Sequence, residues 1–127
     1  VLAQLGTQAA FKRTLGVCPA FYRPPHGSHT PFMAKVVGDH GMTMVTWDVS
    51  AADWATRDGD LVARRVLDRV KPGSIILLHD GIDGNIGADR GVVLNALPII
   101  LDGLRDRGLK PVLLDELLGV PGYLETC

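Results

Sequence analysis

Three short segments of this sequence hold the side chains best suited to proton transfer and charge stabilisation. The first is RPPHG at 23–27, which sets an arginine and a histidine around two prolines. The second is WDVSAADW at 47–54, and the third is LLHDG at 77–81. A guanidinium can hold a carboxylate, and a carboxylate can orient an imidazole over a bound polar group. These residue types are therefore ones that a reaction centre can use.

Each of these side chains also has a structural interpretation. Arg23 can pair with a carboxylate at a sheet edge, Asp53 can be a turn residue, and Trp54 can cover a core. His79 ends the apolar stretch SIILL, where its ring nitrogens need partners in any case. The residue types alone leave both interpretations open.

A metal site is a further alternative. His26 and His29 are near enough in sequence to share a cation, although no third donor stands at a local spacing from them. A self-contained metallohydrolase would complete that site with His79 and Asp80. This arrangement would make the chain an enzyme without help from any other segment.

The elements that must position these residues alternate between helix and strand, at intervals of about 25 to 30 residues. Helices are predicted at 1–15, 31–40, 58–70 and 91–107, and strands at 20–23, 42–47, 74–79 and 110–114. In the first helix, four residues are predicted to face the core: Leu2, Leu5, Ala9 and Phe11. The continuous apolarity of SIILLH indicates burial on both faces, as in a parallel sheet covered by helices. The fold class is therefore α/β, with four βα-type units.

The carboxyl ends of such strands are where functional groups collect. The three segments follow three different predicted strands, so their arginine, aspartate, tryptophan and histidine are expected at one edge of the sheet. Four strands do not close a barrel, which leaves an open apolar edge and favours aggregation or association with another segment.

Size and charge restrict the partners. The chain has 127 residues and a net charge of −1, so no long-range field favours nucleic acid. No apolar run approaches the roughly 20 residues that span a bilayer. The two cysteines, Cys18 and Cys127, stand near the two ends and could form a disulfide or stay free. A neutral or weakly charged small partner is the default expectation.

With these segments in view, the sequence resembles the polysaccharide deacetylases of carbohydrate esterase family 4, which share the NodB homology domain. RPPHG, WDVSAADW and LLHDG match the third, fourth and fifth motifs of that family in order and spacing. The resemblance runs from the first helix to the C-terminus. It implies a distorted (β/α) barrel, usually of seven strands, of which the chain carries the C-terminal part.

The activity implied by this resemblance is metal-dependent removal of acetyl groups from N-acetylated sugars in chitin, peptidoglycan or a similar polymer. In the family a divalent cation, commonly zinc, activates a water, and an aspartate takes its proton. By motif, His79 would be the general acid and Arg23 would hold the basic aspartate. Asp53 would support this arrangement by pairing with His79, Arg23 or both.

The resemblance also implies substrate contacts. Leu77 and Trp54 would form the walls of a small pocket for the acetyl methyl group, and the backbone N–H of His26 would help to bind the developing oxyanion. The family usually works at the cell envelope or outside the cell. The partner would be an N-acetylated polysaccharide or oligosaccharide.

Some of the family's features are missing from this sequence. The paired aspartates of the first motif and the histidine pair of the second, which provide the base and the metal ligands, do not occur. His26 stands where the family often has tyrosine, and Ser50 where an acidic residue is common. Residues 1–127 are therefore interpreted as one partial deacetylase domain without a metal site. We expect this chain alone to be inactive, with the N-terminal half of the domain as a partner.

A second functional class stays open at this point. The chain could be a non-catalytic remnant of the same fold that binds carbohydrate or another partner, with Trp54 as part of its binding surface. Carbohydrate binding without turnover would distinguish it from an enzyme.

Overall fold

A computed structural model describes residues 2–127, with side chains from residue 6 onward. The chain divides into two compact units. The first contains the residues up to Thr46 together with Val112–Cys127, and the second contains Trp47–Pro111. The RPPHG segment therefore belongs to the first unit, and the other two segments belong to the second.

Helices account for most of the regular structure. They are α1 (Leu2–Leu15), α2 (Pro31–Asp39), α3 (Gly59–Leu67), α4 (Gly91–Asp106) and α5 (Leu114–Leu118), with single 3₁₀ turns at Pro25–Gly27 and Asp53–Ala55. None of the helices in the described part of the chain has the length and apolarity needed to cross a bilayer. The strands are β1 (Cys18–Pro19), β2 (Phe21–Tyr22), β3 (Thr43–Met44), β4 (Val49–Ser50), β5 (Ile76–Leu77) and β6 (Tyr123–Leu124).

The first unit contains two strand pairs. Strand β2 runs parallel to β3, and β1 runs antiparallel to β6. Helix α2 begins after Thr30, whose Oγ1 accepts a hydrogen bond of 3.2 Å from the backbone N–H of Met33, and Pro31 occupies its first turn. Cys18 and Cys127 form a disulfide, with Cα atoms 5.6 Å apart. The disulfide ties the C-terminal end of the chain to β1.

The second unit is built on a helix pair and a parallel strand pair. Strand β4 pairs with β5, with Val49 opposite Ile76, and helices α3 and α4 pack against each other. The N-cap of α3 is Asp58, whose Oδ1 accepts from the backbone N–H of Leu61 at 3.0 Å. The core of this unit is aliphatic, and its buried members are Val49, Ala51, Val62, Ala63, Val66, Val92, Val93, Ala96, Ile100 and Leu104. The loops that carry the candidate site extend from this core.

The α/β class is confirmed, but the fourth βα unit is not. The strand predicted at 110–114 is wrong: residues 110–113 are irregular, and α5 begins at Leu114. Pro111 has no N–H to give to a strand neighbour, and Leu113 is 73% exposed. The apolar residues of this segment have the pattern of a strand. Among the described residues, however, no strand lies beside the segment to supply hydrogen bonds.

The other three predicted strands are present in shorter form, as β2, β3 and β5. Strands β1, β4 and β6 were not predicted. The observed pairs are two parallel and one antiparallel, each of two strands in the described residues. A four-unit parallel sheet is therefore not the arrangement found.

The core face predicted for α1 is also wrong where it can be checked. Ala9 and Phe11 are exposed, and the buried residue is Gln8, whose Nε2 donates to the carbonyl oxygen of Pro19 at 3.2 Å. The predictions for the Leu2 and Leu5 side chains lie outside what the structure describes. Helix α1 meets β1 through a polar contact that an apolar periodicity does not reveal.

Candidate active site

The loop between β4 and α3 presents Asp53. This aspartate begins the 3₁₀ turn Asp53–Ala55, and its side chain is completely buried. The preceding residue, Ala52, has φ 47° and ψ 45°, which is a left-handed conformation that costs an alanine on the order of 1 kcal/mol. From α3, Arg65 Nη1 donates to the carbonyl oxygens of Ala51 at 3.1 Å and Ala52 at 3.4 Å. The strained loop is therefore held from the helix that follows it.

Asp53 and His79 make two hydrogen bonds. His79 Nδ1 lies 2.9 Å from Asp53 Oδ1, and the backbone N–H of His79 donates to Asp53 Oδ2 at 3.1 Å. Because an ionised carboxylate only accepts hydrogen bonds, the proton of this ring contact lies on Nδ1. The other ring nitrogen, Nε2, is then left for contact with a ligand, and the His79 side chain is 31% exposed. The pair has the geometry of an oriented acid–base imidazole.

Trp54 and Leu77 complete this part of the second unit. The Trp54 ring meets the His79 ring edge to face, with centroids 5.3 Å apart and an angle of 81° between the planes. Trp54 is 54% exposed, so a large apolar surface beside the imidazole faces solvent. Leu77, on β5, is only 6% exposed and stands two residues before His79.

Arg90 is a residue of this cluster that the sequence patterns did not indicate. Its Nη2 donates to Asp53 Oδ2 in a short ion pair, and its Nε donates to the carbonyl oxygen of His79 at 3.2 Å. The Arg90 side chain is 13% exposed and lies at the N-cap position of α4. The only available signal was indirect: a buried carboxylate needs a counter-charge, and Arg90 follows LLHDG by a single loop.

Asp48 holds the two strands that carry the site. Its Oδ1 accepts from the backbone N–H of Ile75 at 2.7 Å, and its Oδ2 accepts from the hydroxyl of Ser74 at 2.9 Å. Loss of hydration is the largest single influence on the pKa of Asp48 and opposes its ionisation. The hydrogen bonds from Ile75, Ser74 and its own backbone N–H, together with the charge of Lys71, outweigh that loss and lower the pKa of this carboxyl below its usual value. The contact joins the chain just before β4 to the chain just before β5.

Arg23 and His26 lie in the first unit. Arg23 is exposed and borders a cavity of about 240 Å³, which is also lined by Gln8, Phe11, Phe21, Tyr22 and Met42. His26 has φ 54° and ψ 15°, inside the 3₁₀ turn Pro25–Gly27. The cluster described above therefore brings together Asp53, Trp54 and His79, with Leu77 on the adjoining strand, and adds Arg90. The roles expected for Arg23 and His26 stay predictions.

The described residues do not supply a metal site by themselves. No group of three or more histidine, cysteine, aspartate or glutamate side chains among them is arranged to hold an ion. His29 instead directs Nδ1 to the carbonyl oxygen of Gly27, at 2.8 Å. No catalytic step through a metal therefore follows from the described residues alone.

The known proteins that this chain resembles in sequence are named as deacetylases. The chain is 33% identical over 99 residues to a chitooligosaccharide deacetylase of Azorhizobium caulinodans, a match that covers 72% of this chain and 47% of that protein. It is 33% identical over 102 residues to a peptidoglycan N-acetylglucosamine deacetylase of Bacillus cereus, covering 79% of this chain and 46% of the relative. No protein-family model matches the chain.

A solved structure matches over nearly the whole chain. The crystal structure of the Bc1960 peptidoglycan N-acetylglucosamine deacetylase superposes with a TM-score of 0.82 at 28% identity, covering 94% of this chain and 54% of that one. The chain thus spans about half the length of these three proteins.

Proposed function

Because the chain belongs to the polysaccharide deacetylases of carbohydrate esterase family 4, we propose that it forms the C-terminal half of a domain that deacetylates N-acetylated sugars in a polysaccharide. The substrates named for the two relatives, chitooligosaccharide and peptidoglycan, define the class. The overall reaction breaks the acetamide C–N bond with water and gives acetate and a free amine.

One observation of the structure supports this proposal most directly. The buried carboxylate of Asp53 bonds both the ring Nδ1 and the backbone N–H of His79, while the ring stays 31% exposed beside Trp54. In the proposed reaction, the Nε2–H of His79 gives its proton to the departing nitrogen as the C–N bond breaks. Asp53 accepts the Nδ1–H of the ring and so fixes the direction of the ring. The proton that is transferred is the second proton of the doubly protonated ring, on Nε2.

The remaining residues are proposed to act on the substrate. Trp54 and Leu77 would contact the acetyl methyl group, the backbone N–H of His26 would bind the developing oxyanion, and Arg23 would position the basic carboxylate. A side chain that forms the wall of an acyl pocket must be accessible to the substrate, and Trp54 is exposed next to His79.

The base and the metal ligands would come from chain beyond these 127 residues. The family's divalent cation, commonly zinc, has no donor group of three among the described side chains. We therefore propose that a preceding segment completes both the site and the distorted (β/α)7 barrel, to which the two-stranded pairs of this chain would add as part of the wall. The isolated chain is then catalytically incompetent.

The disulfide supports a location at the cell envelope or outside the cell. Disulfides form and persist in oxidising compartments, and Cys18 is paired with Cys127. A polymer of N-acetylated sugars at the cell surface would be accessible there.

The proposal is tested by comparing two proteins on acetylated chitooligosaccharides with added zinc. The first is the isolated 127-residue chain, and the second is the same chain joined behind an N-terminal half that carries the paired aspartates and the histidine pair. We expect acetate release from the joined protein and none from the isolated chain. Metal-dependent release of acetate by the isolated chain would refute the proposal that this chain alone is inactive. A joined protein that folds and binds the oligosaccharide without turnover would favour a carbohydrate-binding remnant instead.

A further inference from the structure

The carboxylate of Asp53 is hydrogen-bonded to two residues whose side chains can carry a positive charge, His79 and Arg90. It is completely buried, and it accepts hydrogen bonds from the ring and the backbone of His79 and from the guanidinium of Arg90. A buried carboxylate without a counter-charge carries a desolvation cost of several kcal/mol, so one of these two partners must balance its charge.

His79 cannot supply that balance throughout a reaction. If His79 passes a proton to a leaving group, its ring is neutral from that moment until the proton is replaced. A guanidinium stays protonated at every pH at which a protein is folded. Arg90 is therefore the only one of the two partners that keeps Asp53 paired with a positive charge in both protonation states of the ring.

The same guanidinium also fixes the backbone that carries the acid. While Nη2 donates to Asp53 Oδ2, Nε donates to the carbonyl oxygen of His79 at 3.2 Å. The planar geometry of a guanidinium sets these two donors at a fixed angle, which an ammonium group cannot reproduce. Arg90 thus relates the position of the carboxylate to the position of the histidine main chain.

Arginines associated with two helices contact Asp53 and its loop. Arg90 stands at the start of α4, and Arg65, on α3, donates to the carbonyl oxygens of Ala51 and Ala52 next to Asp53. Helices α3 and α4 pack against each other around the core of the second unit. The two arginines that contact Asp53 and its loop therefore stand on α3 and at the N-terminus of α4, two helices that pack against each other.

We propose that Arg90 is a positioning residue that serves as the permanent counter-charge of Asp53 and keeps the proton of His79 on Nδ1. The assignment of a catalytic consequence rests on the proposed deacetylase function, because His79 must act as the acid for its orientation to matter. The orientation itself is a property of this chain.

The first test is nitrogen NMR of the four histidine rings in the 127-residue chain. In the unaltered chain we expect His79 to hold the Nδ1–H tautomer, with slow exchange of that proton. In Arg90→Gln we expect a mixture of tautomers and exchange at least about tenfold faster, whereas Arg90→Lys, which keeps the charge, should retain most of the Nδ1–H form. Arg64→Gln, which changes an exposed arginine of α3, is the matched control and should leave the His79 signals unchanged.

The same measurements can overturn the proposal. A folded Arg90→Gln chain with the tautomer and exchange rate of the unaltered chain would contradict it. If Arg90→Gln does not fold, Arg90→Lys decides the question, because complete loss of the Nδ1–H form in that folded variant would show that a permanent charge is not what holds the ring.

The second test uses the joined protein described above. Arg90→Gln should lower kcat about 10- to 100-fold with little change in KM, and Arg90→Lys should lower it less. An unchanged kcat in Arg90→Gln would contradict the positioning role. Failure of the two proposals can be told apart: the NMR result holds without any turnover, whereas a joined protein without deacetylase activity counts against the function alone.

Discussion

At the scale of single residues, the candidate site depends on one buried carboxylate, that of Asp53, and on the partners that donate hydrogen bonds to it. Asp53 receives its bonds from His79 and Arg90, and the backbone conformation of Ala52 is strained directly before it. Strain of this kind persists where the surrounding structure holds it, and it concentrates at functional sites. The loop is thus shaped to present a carboxylate to a histidine.

Asp48 gives a prediction for the pH dependence of stability. Its pKa is lowered in the folded chain relative to the ordinary value of 3.8, because the hydrogen bonds to the carboxylate and the charge of Lys71 together outweigh the loss of hydration. A lowered folded-state pKa adds stability that is present above pH 3.8 and is lost as the pH falls through the folded value. Because the carboxyl is exposed, the effect is on the order of 1 kcal/mol or less.

The measurement is urea unfolding of the unaltered chain and Asp48→Asn between pH 2.5 and about 7. We expect the unaltered chain to be more stable near neutral pH and the two chains to converge in acid. Asp60→Asn, at an exposed position in the first turn of α3, serves as the control. A difference that stays constant across this range would show that the charge of Asp48 contributes nothing.

The sequence was informative about some of these residues and silent about others. Asp53 and His79 could be placed at one edge because each follows a strand, and carboxyl ends of parallel strands lie together. Arg90 and Arg65 could not be placed, because their partners are reached through the packing of α3 and α4 rather than through any local spacing. Nothing in the residue letters relates Arg90 to a carboxylate 37 positions earlier.

At the scale of elements, helices were easier to predict than strands. Thr30 and Asp58 cap α2 and α3 with bonds that need only local sequence, so these helices begin where the pattern placed them. A strand instead needs a neighbour, which is why the apolar segment at 110–114 was misassigned and the pairing of β1 with β6 was missed. Both errors concern contacts between residues far apart in the chain.

The close approach of α3 to α4 gives a prediction at this scale. A Cβ placed on Gly59 would lie 3.0 Å from the Cβ of Asn95 and 3.3 Å from the backbone nitrogen of Ala96. The backbone of α4 cannot move aside cheaply, so Gly59→Ala is expected to destabilise the chain by about 1 to 2 kcal/mol despite the better helix propensity of alanine.

Thermal and urea unfolding followed by circular dichroism would measure this cost. Gly38→Ala is the matched control, because a Cβ at Gly38 of α2 meets nothing within 4 Å and should add roughly 0.5 to 1 kcal/mol of stability. Equal gains in both variants would mean that the helix pair tolerates a wider separation than the contacts indicate.

At the scale of the whole molecule, the chain consists of two units and a disulfide. The sequence left Cys18 and Cys127 either paired or free, and the structure pairs them across 109 residues. Closing a loop of that length removes unfolded-state entropy worth roughly 4 to 5 kcal/mol in the chain-entropy account. In the described residues each strand pair has two strands, so the outer edge of each strand has no β-partner there.

The central claim is that this chain supplies the general acid of a deacetylase, and the most direct measurement is the turnover of acetylated chitooligosaccharide by the joined protein with His79→Gln. We expect kcat to fall by roughly 10² to 10⁴ with KM nearly unchanged. His40→Gln is the control, since that histidine is exposed and its Nδ1 lies 2.8 Å from the carbonyl oxygen of Val36, and it should keep full activity. A His79→Gln protein that retains more than half of the unaltered kcat would contradict the account.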